Sequence, residues 1–175
     1  MERNPRDFEK PIQLINSNAE AACDFLRSRS IAGGYSGNTT TNTNAATQIK
    51  EVRYPKYITQ EHYNHCRINP SPPRTVKRSI QWPLFLDLHY KAASQVFFDT
   101  LPCYKGPSLA TNFTLVYPFT ILAHFTELES AVGPYGVEEG LVRVGVGMEE
   151  RGELLKGLGS ALEAAEAAAG VAGSG

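Results

Sequence analysis

Phe8, Ile12, Ile15, Ala19, Ala22 and Leu26 recur at alternating spacings of four and three residues. That period lays them along one stripe of an α-helix. Asn4 is a good N-cap, Pro5 suits the first helical position, and Asp7 stands three residues after the cap. Arg27 and Arg29 complement the dipole at the other end. Pro11 works against the pattern, because it lacks a backbone N–H; it is expected to kink the helix or delay its start. From Ile31 to Gln48 the periodicity lapses into an uncharged run rich in Gly, Asn and Thr. This reads as a flexible insertion at about 31–48, carried on the surface.

Further on, short apolar runs alternate with helical stripes. Ile49 to Tyr54 predicts a strand stopped by Pro55, and Thr59 is placed to cap a short helix from Gln60 to Cys66. Asn69-Pro-Ser-Pro-Pro73 is a clear break. Ser79 to Leu88 predicts a strand that Pro83 restricts to an edge or a bulge. Ala92, Val96, Phe97 and Leu101 share a helix face; Asn112 to Tyr117 predicts a strand and Thr120 to Glu129 a short helix. Gly140 opens a strand from Leu141 to Val146, and Glu149 to Ala168 forms the last helix, with Leu154, Leu155, Leu158, Ala161, Leu162 and Ala165 as its stripe. The alternation predicts one α/β domain over 1–170, a small sheet with helices packed against it, followed by a fraying tail at 171–175.

A chain of 175 residues with 42% apolar and 20% charged residues is long enough to bury a core. No apolar run approaches a membrane span, and Met1-Glu-Arg-Asn-Pro has no signal-peptide character. Three cysteines, Cys23, Cys66 and Cys103, then fit reduced thiols in the cytoplasm. The net charge of −1 hides an asymmetry: residues 50–91 carry +5 and residues 92–175 carry −6. The basic stretch is interleaved with aromatic residues, but the domain as a whole is not basic, and no nucleic-acid partner is expected.

Few residues invite chemistry. Gly145-Val-Gly147 lies between a strand and a helix, yet the next glycine is Gly152, and Glu149 and Glu150 would repel an anion. The two glutamates read as favourable charges at a helix N-terminus. His62, His65 and Cys66 have no second pair at metal spacing, so no metal site is expected. Ser108 lacks the glycines of a nucleophile elbow and is read as a hydrogen-bond donor. His124 has no evident carboxylate partner. Arg143 alternates with Val142, Val144 and Val146, so it occupies the sheet face opposite the valines. Such an arginine could hold a carboxylate through two parallel hydrogen bonds; a solvated arginine on an exposed face is the simpler reading of the spacing alone.

Longer stretches carry a resemblance. They are Lys105-Gly-Pro-Ser-Leu-Ala-Thr-Asn-Phe-Thr-Leu, Pro118-Phe-Thr-Ile-Leu-Ala-His, Tyr135-Gly-Val and Leu141-Val-Arg-Val-Gly-Val-Gly-Met-Glu. Met1-Glu-Arg-Asn, Arg6-Asp-Phe, Ile15-Asn-Ser-Asn-Ala-Glu-Ala and Val52-Arg-Tyr-Pro-Lys-Tyr precede them in the same order. Together they resemble the fungal cystathionine gamma-synthase-like group of pyridoxal-phosphate (PLP) enzymes. The resemblance implies the C-terminal small domain of fold-type I PLP-dependent transferases. It also implies an amino-acid substrate whose carboxylate is held by Arg143 and Ser108, and a homo-oligomer or docking to a large PLP-binding domain. The implied reaction is γ-replacement on an activated homoserine ester by cysteine. The family's cofactor lysine has a Ser-x-Thr-Lys context that none of the seven lysines here shares. The chain alone is therefore expected to be catalytically incomplete. The alternative is a non-enzymatic truncated paralogue that docks on a full-length partner. Ala110 replaces the family's glycine after Ser-Leu, and the Gly-rich strand near 75–85 is replaced by Arg78-Ser-Ile-Gln-Trp-Pro.

Overall fold

The computed structural model describes residues 9–34, 49–66, 83–108, 111–127 and 133–172. The expectations for Asn4, Pro5, Phe8, most of the 31–48 insertion, the 69–73 break, Ala110 and the 173–175 tail lie outside these residues. Five strands form one sheet: β1 (Ile49–Arg53), β2 (Leu84–Leu88), β3 (Tyr104–Lys105), β4 (Leu115–Pro118) and β5 (Val142–Gly145). Their order is β1-β2-β5-β4-β3, antiparallel throughout except for the parallel β3–β4 pair.

The period-2 alternation sorts the two faces. Leu84, Leu86 and Leu88 of β2, Val142 and Val144 of β5, Val116 of β4 and Val52 of β1 are all buried in the main core. The β1–β2 register shifts between Ile49 and Glu51. That bulge at Lys50 keeps both Ile49 and Val52 on the core side. Three helices close this core: α1 (Glu9–Arg27), α4 (Lys91–Thr100) and α6 (Arg151–Ala172). Ile15, Ala19, Ala22 and Leu26 of the first stripe are buried, as are Leu154, Leu158, Ala161, Leu162 and Ala165 of the last. Between β1 and β2 stand two short helices, α2 (Pro55–Ile58) and α3 (Gln60–Cys66), and α5 (Phe119–Ala123) follows β4.

Several expectations are corrected. Pro83 does not make β2 an edge strand, because the strand begins one residue later, and β2 lies inside the sheet between β1 and β5. Pro55 ends β1 but also opens α2 at its first turn, where a missing N–H costs nothing. On α4 the buried face holds Ala93, Ser94 and Phe97, while Ala92 is exposed; two adjacent alanines leave the phase of the pattern undetermined. The stretch after Thr120 divides into α5 and a 3-10 turn at Phe125–Glu127. The 31–48 segment begins as an ordered 3-10 turn, Ile31–Gly33, capped by the Ser30 side chain.

Asn18, fully buried on α1, donates to the carbonyls of Gly147 (3.2 Å) and Glu149 (2.9 Å), and so ties α1 to the entry of α6. Cys23 and Cys103 are free thiols, and burial pushes Cys23 well above its ordinary pKa. No helix among the described residues is long and apolar enough to cross a membrane.

Candidate functional site

The sheet face opposite the helices is organised by register. Arg53, Phe85, Arg143 and Tyr117 pair successively across β1, β2, β5 and β4, forming one cross-sheet row. Adjacent strands stand about 4.8 Å apart, so Arg143 is flanked directly by two aromatic side chains. Its guanidinium carbon sits 5.0 Å from the Tyr117 ring centroid and 5.9 Å from that of Phe119. Phe119 in turn meets Phe85 edge to face at 5.2 Å.

Arg143 is only 5% exposed. Its Nη2 donates to the carbonyl of Pro107 and, at 3.2 Å, to that of Ser108. Among the described residues no carboxylate pairs with it, and Nη1 and Nε have no acceptor. Burial pushes its pKa down from the ordinary value, with Tyr117 opposing. A guanidinium nevertheless remains charged at any physiological pH. Among the described residues, carbonyl dipoles and aromatic faces are what surround this buried cation.

Arg143 and Ser108 are thus brought together from distant parts of the chain. The contact runs through the Ser108 carbonyl, whereas the sequence pointed to its hydroxyl. The other candidates are not gathered here. His62 and His65 are exposed on α3, and no group of metal-ligating side chains occurs among the described residues. His124 does have a carboxylate partner: its Nδ1 lies 2.9 Å from Glu127 Oε2. The i,i+3 spacing of the two residues was the available signal.

The aromatic walls Tyr117 and Phe119 were missed because neighbours across a sheet are invisible without the register. Asp87 was missed too. Its side chain is fully buried, Oδ1 has no partner, and Oδ2 meets Arg53 Nη2 at a long 3.4 Å. Burial raises its carboxyl above the ordinary 3.8, Glu138 adds to the rise, and Arg53 opposes it. A raised pKa means that the folded state holds the proton more tightly than the unfolded one. Ionised Asp87 therefore costs stability above its folded pKa, and the cost vanishes as the pH falls below about 4. Asp87→Asn is expected to match or exceed the native stability at pH 7, with the gap closing on acidification. Thermal melts across that range check this; a variant that loses stability at neutral pH would show the Arg53 pair outweighing burial.

No protein-family model matches the chain. A cystathionine gamma-synthase-like enzyme of Amanita muscaria is 48% identical over 177 residues, covering 98% of this chain and 27% of that enzyme. The chain belongs to that family. The cystathionine gamma-synthase of Neurospora crassa is 35% identical over 95% of this chain, which covers 23% of that enzyme. The cystathionine gamma-synthase-like chain thus spans about a quarter of the length of the curated relatives it matches, and corresponds to the family's C-terminal domain. The fold agrees. The crystal structure of cystathionine gamma synthase from Xanthomonas oryzae pv. oryzae in complex with cystathionine superposes with a TM-score of 0.65 at 20% identity. That match covers 91% of this chain and 35% of the solved one.

Proposed function

We propose that this domain supplies the substrate-carboxylate site of a PLP-dependent trans-sulfuration enzyme, with Arg143 as the clamp. The supporting observation is a buried arginine with two donor sides unspent and no carboxylate of its own among the described residues. An amino-acid carboxylate placed there would gain two charge-assisted hydrogen bonds in a site of low polarity. Tyr117 and Phe119 would exclude water and keep the guanidinium from swinging away. Ser108 stands beside the clamp and assists it. The reaction served is γ-replacement on an activated homoserine ester by cysteine. Free thiols at Cys23 and Cys103 suit a cytoplasmic setting.

In this family PLP supplies the electron sink. The chain's seven lysines lack the family's Ser-x-Thr-Lys context, which supports a cofactor site outside this domain. The chain's own part is to bind and orient the substrate. Docking to a PLP-binding domain is supported by the large exposed apolar side chains of Leu122, Phe125 and Tyr135; the same residues would serve a non-enzymatic paralogue.

Homoserine and 3-aminopropanol, which differ by the carboxylate, provide the test. Homoserine is expected to shift the Arg143 side-chain NMR signals on titration, and 3-aminopropanol to leave them unchanged. Equal responses would sink the carboxylate reading. PLP added to the chain and reduced with borohydride is expected to leave no stoichiometric adduct on any one lysine. A single modified lysine would restore independent catalysis as a possibility.

A further inference from the structure

The residues that offer their carbonyls to Arg143, Pro107 and Ser108, follow directly on a stretch that is bonded to β4. Gly106 N–H donates to the Val116 carbonyl at 3.1 Å, extending the β3–β4 pairing. At the entry of β4, the Glu149 carboxylate accepts from both the backbone N–H and the hydroxyl of Thr114, the latter at 2.7 Å. The Thr114 hydroxyl accepts in turn from Gly147 N–H at 3.0 Å, and Met148 N–H donates to the Asn112 carbonyl at 2.8 Å.

The hydrogen bonds of the Glu149 carboxylate thus go to Thr114 and not to the first turn of α6. Glu150 caps the helix: its carboxylate accepts from Glu153 N–H at 2.9 Å in the first turn of α6, and backbone N–H groups hold its pKa below the ordinary range. Glu149 turns the other way, onto the strand-entry residue Thr114, which is only 2% exposed. A carboxylate suits this position because it is acceptor-only and presents two oxygens to two donors of the same residue. A glutamine would offer one oxygen and point an N–H₂ at the other donor.

We propose that Glu149 is a positioning residue for the carboxylate site. By holding Thr114 at the entry of β4 it fixes the strand to which Lys105 and Gly106 are bonded, so that Pro107 and Ser108 orient the Arg143 guanidinium with Nη1 and Nε turned to the ligand. The inference rests on the carboxylate reading of Arg143. It also makes a claim about the free protein that does not need the ligand.

The test compares the full chain with Glu149→Gln, Thr114→Val and Thr114→Ser. Two readouts are followed: homoserine affinity, and hydrogen exchange of the Arg143 guanidinium without ligand. Glu149→Gln is expected to weaken homoserine binding by about 3- to 30-fold, the range of coupling through a packed network, and to speed the exchange. Thr114→Val should reproduce both effects, the double variant should be no worse than either single one, and Thr114→Ser should retain the native behaviour. Native affinity and native exchange in Glu149→Gln, even with a lowered melting temperature, would overturn the proposal and leave Glu149 a purely structural residue. If the unmodified chain ignores homoserine, the carboxylate reading fails, yet exchange still decides: faster exchange upholds the positioning of Arg143, and unchanged exchange refutes it. Should Glu149→Gln fail to fold, Thr114→Val carries the same comparison.

Discussion

Arg143→Ala is expected to lower the affinity of this chain for homoserine by at least about 30-fold, the effect of truncating one partner of a buried, hydrogen-bonded charge pair. The expectation follows from where the charge sits. At 5% exposure the guanidinium has lost most of its water, and the described protein returns only two carbonyl contacts and two aromatic faces. An incoming carboxylate would therefore face little competition from solvent, and each hydrogen bond to it would be charge-assisted. Arg143→Lys keeps the charge but loses the planar fork, so it should fall between the native chain and the alanine variant. Ser108→Ala should have a much smaller effect, because the contact to Arg143 runs through the backbone. The guanidinium holds its proton across the accessible range, so binding should show no step between pH 6 and 9, roughly, that belongs to Arg143. Calorimetric or NMR titration of the three variants checks the order. Undiminished binding in Arg143→Ala would remove the residue from the site.

The second large effect concerns the backbone behind that site. A Cβ on Gly147 would lie 2.4 Å from the carbonyl carbon of Phe113, 2.5 Å from its Cα and 2.6 Å from the Thr114 nitrogen. All three are main-chain atoms, so no side chain can rotate away. Gly147→Ala must push the 113–114 backbone from β5 and so stretch the Glu149–Thr114 and Gly147–Thr114 bonds. A cost of about 3 kcal/mol or more is expected, at the upper end for overpacking. For a domain of this size that lowers the melting temperature by roughly 6–12 °C. Gly159, whose added Cβ would come no nearer than 3.5 Å to Phe25, serves as the control: Gly159→Ala should match or exceed the native stability, since alanine favours a helix. Equal melting temperatures for Gly147→Ala and the native chain would mean that the close approach is not maintained in solution.

Much of the fold was legible in the residues because its signals are local. The first and last helices announced themselves through long stripes, and Val142, Val144 and Val146 identified a buried sheet face by their period. The same alternation put Arg143 on the other face. Errors arose where a local rule has more than one outcome. Proline at position 83 forbids a ladder hydrogen bond at one residue only, so it could border an interior strand as readily as lie in an edge one. Glu149 and Glu150 look equivalent at a helix start, and only one of them caps it.

By itself, the sequence determined the α/β class, the two main helical stripes, the side of β5 on which Arg143 lies and, through its longer motifs, the family. Those properties depend on the spacing of residues within one element or on ordered runs of matching residues. Only the tertiary structure decided that β2 is an interior strand, that Tyr117 and Phe119 wall the arginine, that Asp87 is buried on the same sheet face as Arg143, and that Glu149 reaches Thr114. These depend on strand order and register. Pairings between residues 30 or more positions apart are fixed by burying the whole core at once, and no single stretch of the chain encodes them.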